Sequence, residues 1–374
     1  MPDKNKIGYR PTWAEVNLNN LEHNFKAVKS FLGPQTKILV TVKADAYGHG
    51  LIAVSKRLSA CKADYLGVAS IDEGIKLRKA GIKTPILLLG VILKEDIQPL
   101  FTYQLTPTVC DIELASAVNA QAAKLKEKIA VHIKVDTGMG RIGVLPDDAL
   151  ALVKDIHKLK NIIIEGIFTH FALADTNHKF TAYQINLFNQ LVSDLKRSGI
   201  AIPLMHAANS IGLIDYKHSH FTMVRPGLVI YGLHPKGDLS IKLKPVLSLK
   251  TCVVFIKQVG SGSGISYGRT YITKQPSNIV TLPIGYGDGY PRNLSNLAPL
   301  LISGRRFRIA GRICMDQIMV DVGNFLPKIG DEVVLIGKQG KEKVTVEELA
   351  DLSGTISYEI VCGLGSRIPR IYIQ

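Results

Sequence analysis

Strand and helix patterns alternate along the chain from Ile38 to about Leu233. Apolar runs rich in β-branched residues are typical of buried strands, and a helical pattern separates each run from the next. The eight predicted strands cover residues 38–43, 65–69, 86–90, 105–109, 130–135, 162–168, 203–208 and 223–231. Eight strand–helix units with short links predict an α/β fold, a (β/α)₈ or TIM barrel, whose active site lies at the carboxyl ends of the strands.

The carboxyl-terminal part of the chain has a different pattern. Short strands punctuated by glycine and proline begin with residues 247–256, and one helix is predicted over 344–352. This pattern indicates a mostly β second domain. We therefore divide the chain into a barrel domain, residues 1–238, and a β-rich domain, residues 239–374. A further predicted strand within residues 10–18 precedes the barrel and is able to pair with the sheet of the second domain.

Composition limits the classes of function. The chain has 374 residues, of which 46% are hydrophobic and 21% charged, with a formal net charge of +15. The basic residues are dispersed and no nucleic-acid-binding motif is present, so a solvated basic surface is favoured over nucleic-acid binding. No stretch approaches the roughly 20 apolar residues that span a bilayer, and the amino terminus lacks the apolar segment of a signal peptide. Five widely spaced cysteines suggest neither a metal site nor a disulfide framework and favour the cytoplasm.

A lysine ends the first predicted strand. Lys43 is followed by Tyr47 and by Gly48 and Gly50, which permit a tight turn. Burial disfavours the charged ammonium and favours the neutral amine, which is the nucleophilic form that makes Schiff bases. The alternative is a lysine whose ammonium group extends from the barrel rim into solvent. The pattern alone leaves both interpretations open.

Other polar side chains stand at or just past the ends of strands five to eight. These are Arg141, His170, Asn209 and Arg225, and barrel topology brings them to one mouth. Arg141 suits a carboxylate, although a loop arginine in a surface ion pair is common. His170 alone is compatible with a core histidine. Asn209 and the adjacent Ser210 are candidates for binding phosphate, with an ordinary helix N-cap as the alternative.

Several segments resemble bacterial alanine racemases of the pyridoxal phosphate-dependent fold type III class. Residues 43–50 (KADAYGHG) are similar to the family's cofactor-lysine motif. Residues 137–143 (TGMGRIG), 169–171 (THF) and 264–268 (GISYG) resemble further family segments. Residues 311–317 (GRICMDQ) are the most diagnostic match in the second half of the chain. The resemblance extends over nearly the whole sequence.

The resemblance implies the activity and the proton-exchanging groups. It implies an isomerase that interconverts L- and D-alanine with pyridoxal 5'-phosphate as cofactor and supplies D-alanine for peptidoglycan. Lys43 would hold the cofactor as an aldimine and, once freed, would exchange the α-proton on one face, with Tyr267 acting on the other. A free tyrosine titrates near pH 10, so a cation such as Arg141 or a histidine such as His206 is expected to stabilise the phenolate.

The resemblance also assigns binding residues. The expected substrate contacts are Arg141, Met315 and Asp316, and Lys134 corresponds to a lysine that is often carbamylated in the family. Because Tyr267, Met315 and Asp316 come from the partner subunit in this family, a homodimer with shared active sites is implied. The expected cofactor-binding residues are Lys43, Tyr47, His170, Asn209, Ser210, Arg225, Gly227, Leu228 and Tyr358.

Arg225 favours racemisation over other pyridoxal phosphate chemistries. By resemblance it bonds the pyridine nitrogen, and an arginine donates hydrogen bonds but cannot act as an anion beside a pyridinium. The ring is then a weaker electron sink than one paired with an aspartate. A barrel-type pyridoxal phosphate decarboxylase is the nearest rival, and a cofactor-carrying module without catalysis is a third hypothesis. Carbon dioxide release from an amino acid would favour the decarboxylase.

Overall fold

The barrel predicted for the amino-terminal part is present in the computed structural model, which describes residues 8–234 and 240–374. One strand, β1 (Thr12–Asn17), precedes it. The eight barrel strands are β2 (Lys37–Thr41), β3 (Tyr65–Val68), β4 (Ile86–Leu88), β5 (Thr108–Val109), β6 (Ile129–Lys134), β7 (Ile162–Phe168), β8 (Leu204–His206) and β9 (Met223–Val224).

Parallel pairing closes these strands into a ring. Strands β9, β2, β3 and β4 are neighbours in that order, as are β5, β6, β7 and β8. A parallel bridge between Leu87 and Thr106 joins the two groups. On the other side the Thr222 N–H donates to the carbonyl of Met205 at 3.1 Å. The interior is packed with one apolar cluster, formed by Leu39, Tyr65, Leu87, Leu204 and Met223.

Helices follow the strands on the outside of the barrel. Asp111 is the N-cap of one of them, and its side chain accepts the Leu114 N–H at 2.7 Å. The helices are α1 (Leu18–Phe31), α2 (Leu51–Ala60), α3 (Ile71–Lys79), α4 (Gln98–Thr102), α5 (Ile112–Leu125), α6 (Pro146–His157), α7 (His178–Arg197) and α8 (Ser210–Asp215).

Six of the eight barrel strands end earlier than predicted, and the differences at the first and last strands affect the site. The first ends at Thr41, and Lys43 begins a short helical segment, Lys43–Tyr47. The last is β9 alone, because Pro226 has no N–H to donate to a neighbouring strand and Leu228–Tyr231 forms a 3₁₀ helix. Both differences move polar side chains from strand ends onto the loops above the barrel.

The β-rich part begins after the undescribed residues, and the expected boundary between residues 238 and 239 lies outside the described part of the chain. The elements are β10 (Leu247–Cys252), β11 (Phe255–Val259), β12 (Gly264–Ile265), β13 (Tyr271–Ile272), β14 (Ser277–Leu282), β15 (Pro299–Ile302), β16 (Arg305–Arg308), β17 (Ile318–Gly323), β18 (Glu332–Gln339), β19 (Glu342–Val344), α9 (Val346–Ser353), α10 (Ser357–Cys362) and β20 (Arg370–Ile373). Strands β16, β15, β18, β10, β1 and β20 form one sheet in that order, with β19 paired to β18. Strands β11, β14 and β17 form a second sheet, and β12 pairs with β13.

Strand β1 lies inside the sheet of this β-rich part. It pairs antiparallel with β10, with Thr12 opposite Thr251, and parallel with β20, with Ala14 opposite Arg370. Trp13 is fully buried there. Of the helices in residues 8–234 and 240–374, none combines the length and apolar character needed to span a membrane.

Candidate active site

The segment that carries Lys43 is wound in the left-handed direction. Four consecutive residues, Ala44, Asp45, Ala46 and Tyr47, have φ between 51° and 54°. Each costs about 1–2 kcal/mol in this conformation, which ordinary residues adopt singly rather than in runs. Hydrogen bonds of helical spacing close the turn, since the Ala46 N–H donates to Val42 at 2.8 Å and the Gly48 N–H donates to Ala44 at 3.0 Å. Strain of this kind persists only where the surrounding structure imposes it.

Lys43 is partly buried at the start of this left-handed turn. Burial lowers the pKa of its amine, and the positive charge of Arg141 lowers it further, while the carboxylate of Glu73 opposes the change. At a given pH, a larger fraction of this amine is therefore neutral than in a free lysine. This environment favours the nucleophile over a lysine that merely extends into solvent.

Arg141 is carried by a loop that a buried carboxylate organises. Asp136 accepts the backbone N–H groups of Gly138, Met139, Gly140 and Arg141 at 2.7–3.1 Å. Burial raises the pKa of Asp136, but these four hydrogen bonds outweigh it, and the net shift is downward. The Arg141 side chain remains exposed. Its charge reaches both Lys43 and His170, whose pKa values it helps to lower.

Lys134 lies near this loop and is only 2% exposed. Its Nζ donates to the Val135 carbonyl at 3.0 Å and lies 5.2 Å from the centre of the Phe168 ring. Burial and the charge of Arg225 lower its pKa to about 7. Within the described residues no carboxylate forms an ion pair with it, so a large share of this buried amine is neutral near pH 7.

Arg225 is a buried cation whose described partners are all neutral. It donates to His206 Nδ1 at 2.9 Å and to the carbonyls of Thr169 and Ala207 at 2.6 and 3.0 Å. A longer contact, 3.3 Å, joins it to Nδ1 of His170. No carboxylate among the described residues contacts this guanidinium. It is therefore suited to donate to a neutral acceptor such as an unprotonated pyridine nitrogen.

A chain of hydrogen bonds continues from Arg225 through the barrel interior. His206 contacts His132 at 2.9 Å, His132 contacts Glu165 at 3.2 Å, and the Tyr65 hydroxyl donates to Glu165 at 2.7 Å. Because an arginine only donates, His206 must accept at Nδ1 and donate from Nε2 to His132, which in turn donates to the carboxylate. Both imidazoles are then neutral, in agreement with pKa values lowered first by burial.

This network corrects one expectation from the sequence. His206 was a candidate to stabilise the phenolate of Tyr267, but it is fully buried and both of its ring nitrogens are already bonded. Sequence patterns did not single out His132 or Glu165 as site residues. A signal for His132 exists, because it and Lys134 alternate within the apolar strand β6 and so share one face.

The candidate phosphate-binding residues have internal roles of their own. Asn209 is the N-cap of helix α8 and accepts the Gly212 N–H at 2.9 Å, so the alternative interpretation of this residue is present in the structure. Ser210 Oγ accepts the Gly227 N–H at 3.0 Å. A Cβ at Gly227 would lie 2.9 Å from the Tyr47 hydroxyl oxygen, so a larger residue there would displace that hydroxyl. Leu228, which follows it, is buried.

Tyr47 and Tyr358 meet at the same mouth. Their ring centres are 5.5 Å apart, and helix α10 brings Tyr358 to the left-handed turn. Burial raises the pKa of both hydroxyls, to about 12 for Tyr358, so both are neutral donors. A Cβ at Gly48, beside Tyr47, would lie 2.1 Å from the carbonyl oxygen of Val361 in α10. Close backbone packing therefore joins the two segments.

The remaining candidates form a separate cluster of exposed loops in the β-rich part. Tyr267 is 69% exposed and Met315 is 52% exposed. Ser266, which precedes Tyr267, donates to the Arg312 carbonyl at 2.5 Å, so the two loops are joined. Asp316 accepts from Arg367 at 2.7 Å. In the described part of the chain, no hydrogen bond, ion pair or ring contact connects Tyr267, Met315 or Asp316 to Lys43.

The residues at the barrel mouth suit pyridoxal phosphate. Lys43 offers an amine that burial biases toward its neutral form, and Arg225 offers a donor for the ring nitrogen without a competing carboxylate. The hydroxyls of Tyr47, Ser210 and Tyr358 are neutral polar groups that can face a phosphate. This donor set would hold the cofactor, which would supply an electron sink when bound.

Known proteins match the chain over nearly its whole length. A family model for the alanine racemase N-terminal domain matches residues 16–235, and one for the C-terminal domain matches residues 246–372. The alanine racemase of Halothermothrix orenii is 50% identical, with 98% of each chain covered.

Solved structures agree with these matches. The alanine racemase of Clostridium difficile 630 has a TM-score of 0.91 at 42% identity, covering 97% of this chain and 96% of that one. The alanine racemase of Bacillus anthracis, solved with bound L-Ala-P, has a TM-score of 0.91 at 38% identity, covering 98% and 96%.

Proposed function

The chain belongs to the alanine racemase family, and from this membership we propose how its own residues carry out the reaction. The enzyme is an isomerase that interconverts L- and D-alanine and depends on pyridoxal phosphate. When bound, the cofactor withdraws electrons from the α-carbon and makes its proton acidic. Racemisation then needs one proton-exchanging group on each face of that carbon.

Lys43 binds the cofactor and serves one face. The observation that carries this assignment is the environment of its amine, whose pKa is lowered first by burial and then by the nearby Arg141. A neutral amine can form the covalent link to the cofactor and, once substrate displaces it, can accept the α-proton. The left-handed turn holds this amine at the barrel mouth.

The partner subunit's Tyr267 serves the other face. In one chain the surface that exposes Tyr267 and Met315 makes no described contact with Lys43. A homodimer that covers this surface would bury these side chains and complete two shared sites. Arg141 is then the cation available to stabilise the phenolate, since His206 is fully bonded.

The other residues hold cofactor and substrate. Arg225 donates to the ring nitrogen and His170 covers one face of the ring, while Arg141, with the partner subunit's Met315 and Asp316, binds the substrate end. Lys134, if carbamylated, would supply a carboxylate to orient Arg141. The phosphate is held by Tyr47, Asn209, Ser210, Gly227, Leu228 and Tyr358.

We assign residues 1–238 to the barrel domain and 239–374 to the β-rich domain. The two family models, 16–235 and 246–372, support a boundary in this region. We place the enzyme in the cytoplasm as a source of D-alanine for peptidoglycan. All five cysteines lie in the described residues and are free, which supports a reducing compartment.

Replacement of Lys43 tests the assignment directly. In Lys43→Ala, racemisation of L-alanine should fall by at least roughly 10²–10⁴-fold, the contribution typical of a positioned acid–base group, because both the covalent link and the proton acceptor are lost. The measurement is D-alanine formation from L-alanine with saturating pyridoxal phosphate. Lys76→Ala, which removes an exposed lysine on helix α3, is the matched control and should retain full activity.

Two results would contradict the proposal. Unchanged racemase activity in Lys43→Ala without an added amine would remove Lys43 from the reaction. Carbon dioxide release in place of D-alanine formation by the unmodified enzyme would identify the rival decarboxylase instead.

A further inference from the structure

The left-handed turn needs an external contact at the end that carries Lys43. Asp45 Oδ1 accepts the Leu51 N–H at 2.7 Å, and Arg370 Nε donates to the Gly48 carbonyl at 3.0 Å. These contacts involve Asp45, Gly48 and Leu51. They do not involve the peptide that follows Lys43.

Glu73 supplies a contact at that peptide. From the first turn of helix α3, its Oε1 accepts the Ala44 N–H at 2.6 Å and its Oε2 accepts the Ala69 N–H at 2.8 Å. One carboxylate therefore joins the loop after β2 to the loop after β3. Hydrogen bonds from backbone N–H groups to a carboxylate are stronger than those between neutral groups.

The position of Glu73 in sequence predicts a different role. Ser70 is the N-cap of helix α3 and accepts the Glu73 N–H at 3.4 Å, so residues 70–73 match a capping box. In a complete capping box the glutamate would bond the N–H of Ser70 itself. Here both carboxylate oxygens instead bond other segments. Glu73 therefore bonds the neighbouring left-handed turn instead of capping its own helix.

We propose that Glu73 is a positioning residue, whose two backbone hydrogen bonds hold residues 44–47 in the left-handed conformation and so fix Lys43 at the barrel mouth. The inference rests on the proposed role of Lys43 as the cofactor lysine. The alternative is an electrostatic role, because the Glu73 charge opposes the lowering of the Lys43 pKa. The two roles predict different responses to glycine.

Kinetics of four variants separate these roles. In Glu73→Ala we expect kcat to fall roughly 10- to 100-fold, the loss typical of a misplaced reacting group, with a smaller change in KM because Arg141 is on another loop. Glu73→Gln, which keeps one acceptor oxygen, should lie between Glu73→Ala and the unmodified enzyme. Asp72→Asn removes an exposed acid from the same helical turn and should leave kcat unchanged.

The double variant Glu73→Ala/Ala44→Gly is the decisive comparison. Ala44 is exposed, so glycine removes little packing there, and glycine adopts a positive φ without steric cost. If Glu73 acts by holding the backbone, the glycine should restore most of the lost kcat. If the double variant is no better than Glu73→Ala and Glu73→Gln is equally impaired, the charge is what matters and the positioning role is wrong.

Amide hydrogen exchange of the full-length protein gives a readout that does not depend on activity. Without cofactor, the peptide covering residues 44–47 should exchange faster in Glu73→Ala than in the unmodified protein and should be unaffected in Asp72→Asn. Unchanged protection in Glu73→Ala and Glu73→Gln would overturn the proposal. The Gln variant covers the case in which the Ala variant does not fold.

Borohydride reduction with bound pyridoxal phosphate keeps the two proposals distinct. Peptide mass spectrometry of the reduced, unmodified enzyme should locate the label on Lys43. A label elsewhere would refute the assignment of Lys43 while leaving the exchange result for the turn intact. A label on Lys43 combined with unchanged exchange in the Glu73 variants would refute the positioning role alone.

Discussion

Burial changes the acid–base character of individual side chains around the barrel mouth. Lys134 is the clearest case, since burial and Arg225 lower its pKa to about 7. The unfolded chain retains this proton up to about pH 10.4. Unfolding therefore takes up a proton between these values, and the contribution of Lys134 to the free energy of unfolding increases with pH across that window.

The neutral fraction of Lys134 can be tested by its reaction with carbon dioxide. Only the neutral amine forms a carbamate, so the adduct should increase from about pH 6 to about pH 8 as the amine loses its proton. The measurement is the carbamate signal in ¹³C NMR of the enzyme with labelled bicarbonate. Lys134→Met is the control for assigning the signal. A spectrum without the signal at the upper pH would refute carbamylation.

At the scale of elements, a single buried carboxylate organises the loop after β6. Asp136 accepts four backbone N–H groups, ending with that of Arg141, and so converts a glycine-rich segment into a fixed support. Gly143 allows the chain to turn back and pack against residues 134–136. Its φ is 124°, and a Cβ there would lie 2.7 Å from the Asp136 nitrogen. The position of the Arg141 side chain therefore depends on Asp136.

Replacement of Asp136 should loosen this loop. Asp136→Asn keeps one acceptor oxygen but presents an amide NH₂ to the remaining backbone donors, and the free energy of unfolding should fall by about 1–3 kcal/mol. The KM for alanine should increase more than kcat falls, since Arg141 loses its fixed position. Urea unfolding and steady-state kinetics are the measurements, with Glu127→Gln, an exposed acid, as the control. An unchanged KM would contradict the role of the loop.

The Asp136 carboxylate also makes the stability of the folded protein depend on pH. The pKa of Asp136 is lowered in the folded state, so its stabilising contribution is present above the unfolded value near pH 3.9 and is lost as pH falls through the folded value. The difference in stability between the Asp136→Asn variant and the unmodified protein should therefore narrow below about pH 4.

Sequence patterns predicted helices and strands better than the left-handed turn or the hydrogen bonds between side chains of different strands. The helix predicted over 344–352 is present as α9 (Val346–Ser353), because its caps and apolar periodicity are local signals. The left-handed turn was not predicted, since alanine and tyrosine adopt that conformation only when distant groups such as Glu73 hold them. The link between His132 and Glu165 was missed for a similar reason. A hydrogen bond between two strands leaves no periodic trace in either one.

At the scale of the whole molecule, the candidate groups lie in two places. Lys43, Arg141 and Arg225 surround the barrel mouth, while Tyr267 and Met315 project from exposed loops of the β-rich part. The family motifs allowed both sets to be predicted from the sequence. Their separation within one chain was implied only by the family resemblance, which assigns Tyr267 and Met315 to the partner subunit. Periodicity and spacing carry no signal for it, because the separation depends on how the two parts pack.

Mixing two inactive variants should restore activity if the sites are shared. Lys43→Ala and Tyr267→Phe damage different halves of each site, so a mixed dimer has one site carrying both changes and one site carrying neither. After denaturation and joint refolding of equal amounts, about a quarter of the original sites should be intact if subunits combine at random. Racemase activity of the mixture measures this fraction. Activity no higher than that of either variant alone would refute shared sites.

Strand β1 has a consequence for how the polypeptide is made. It lies between β10 and β20, so it is hydrogen-bonded to two strands that are synthesised long after it. Until β10 and β20 have been made, this strand has unpaired edges, which are sites for unwanted association. We therefore expect the nascent chain to depend on chaperones, and refolding of the purified protein to depend on slow dilution. Both dependences should be stronger than in a protein whose barrel and sheet each come from contiguous sequence.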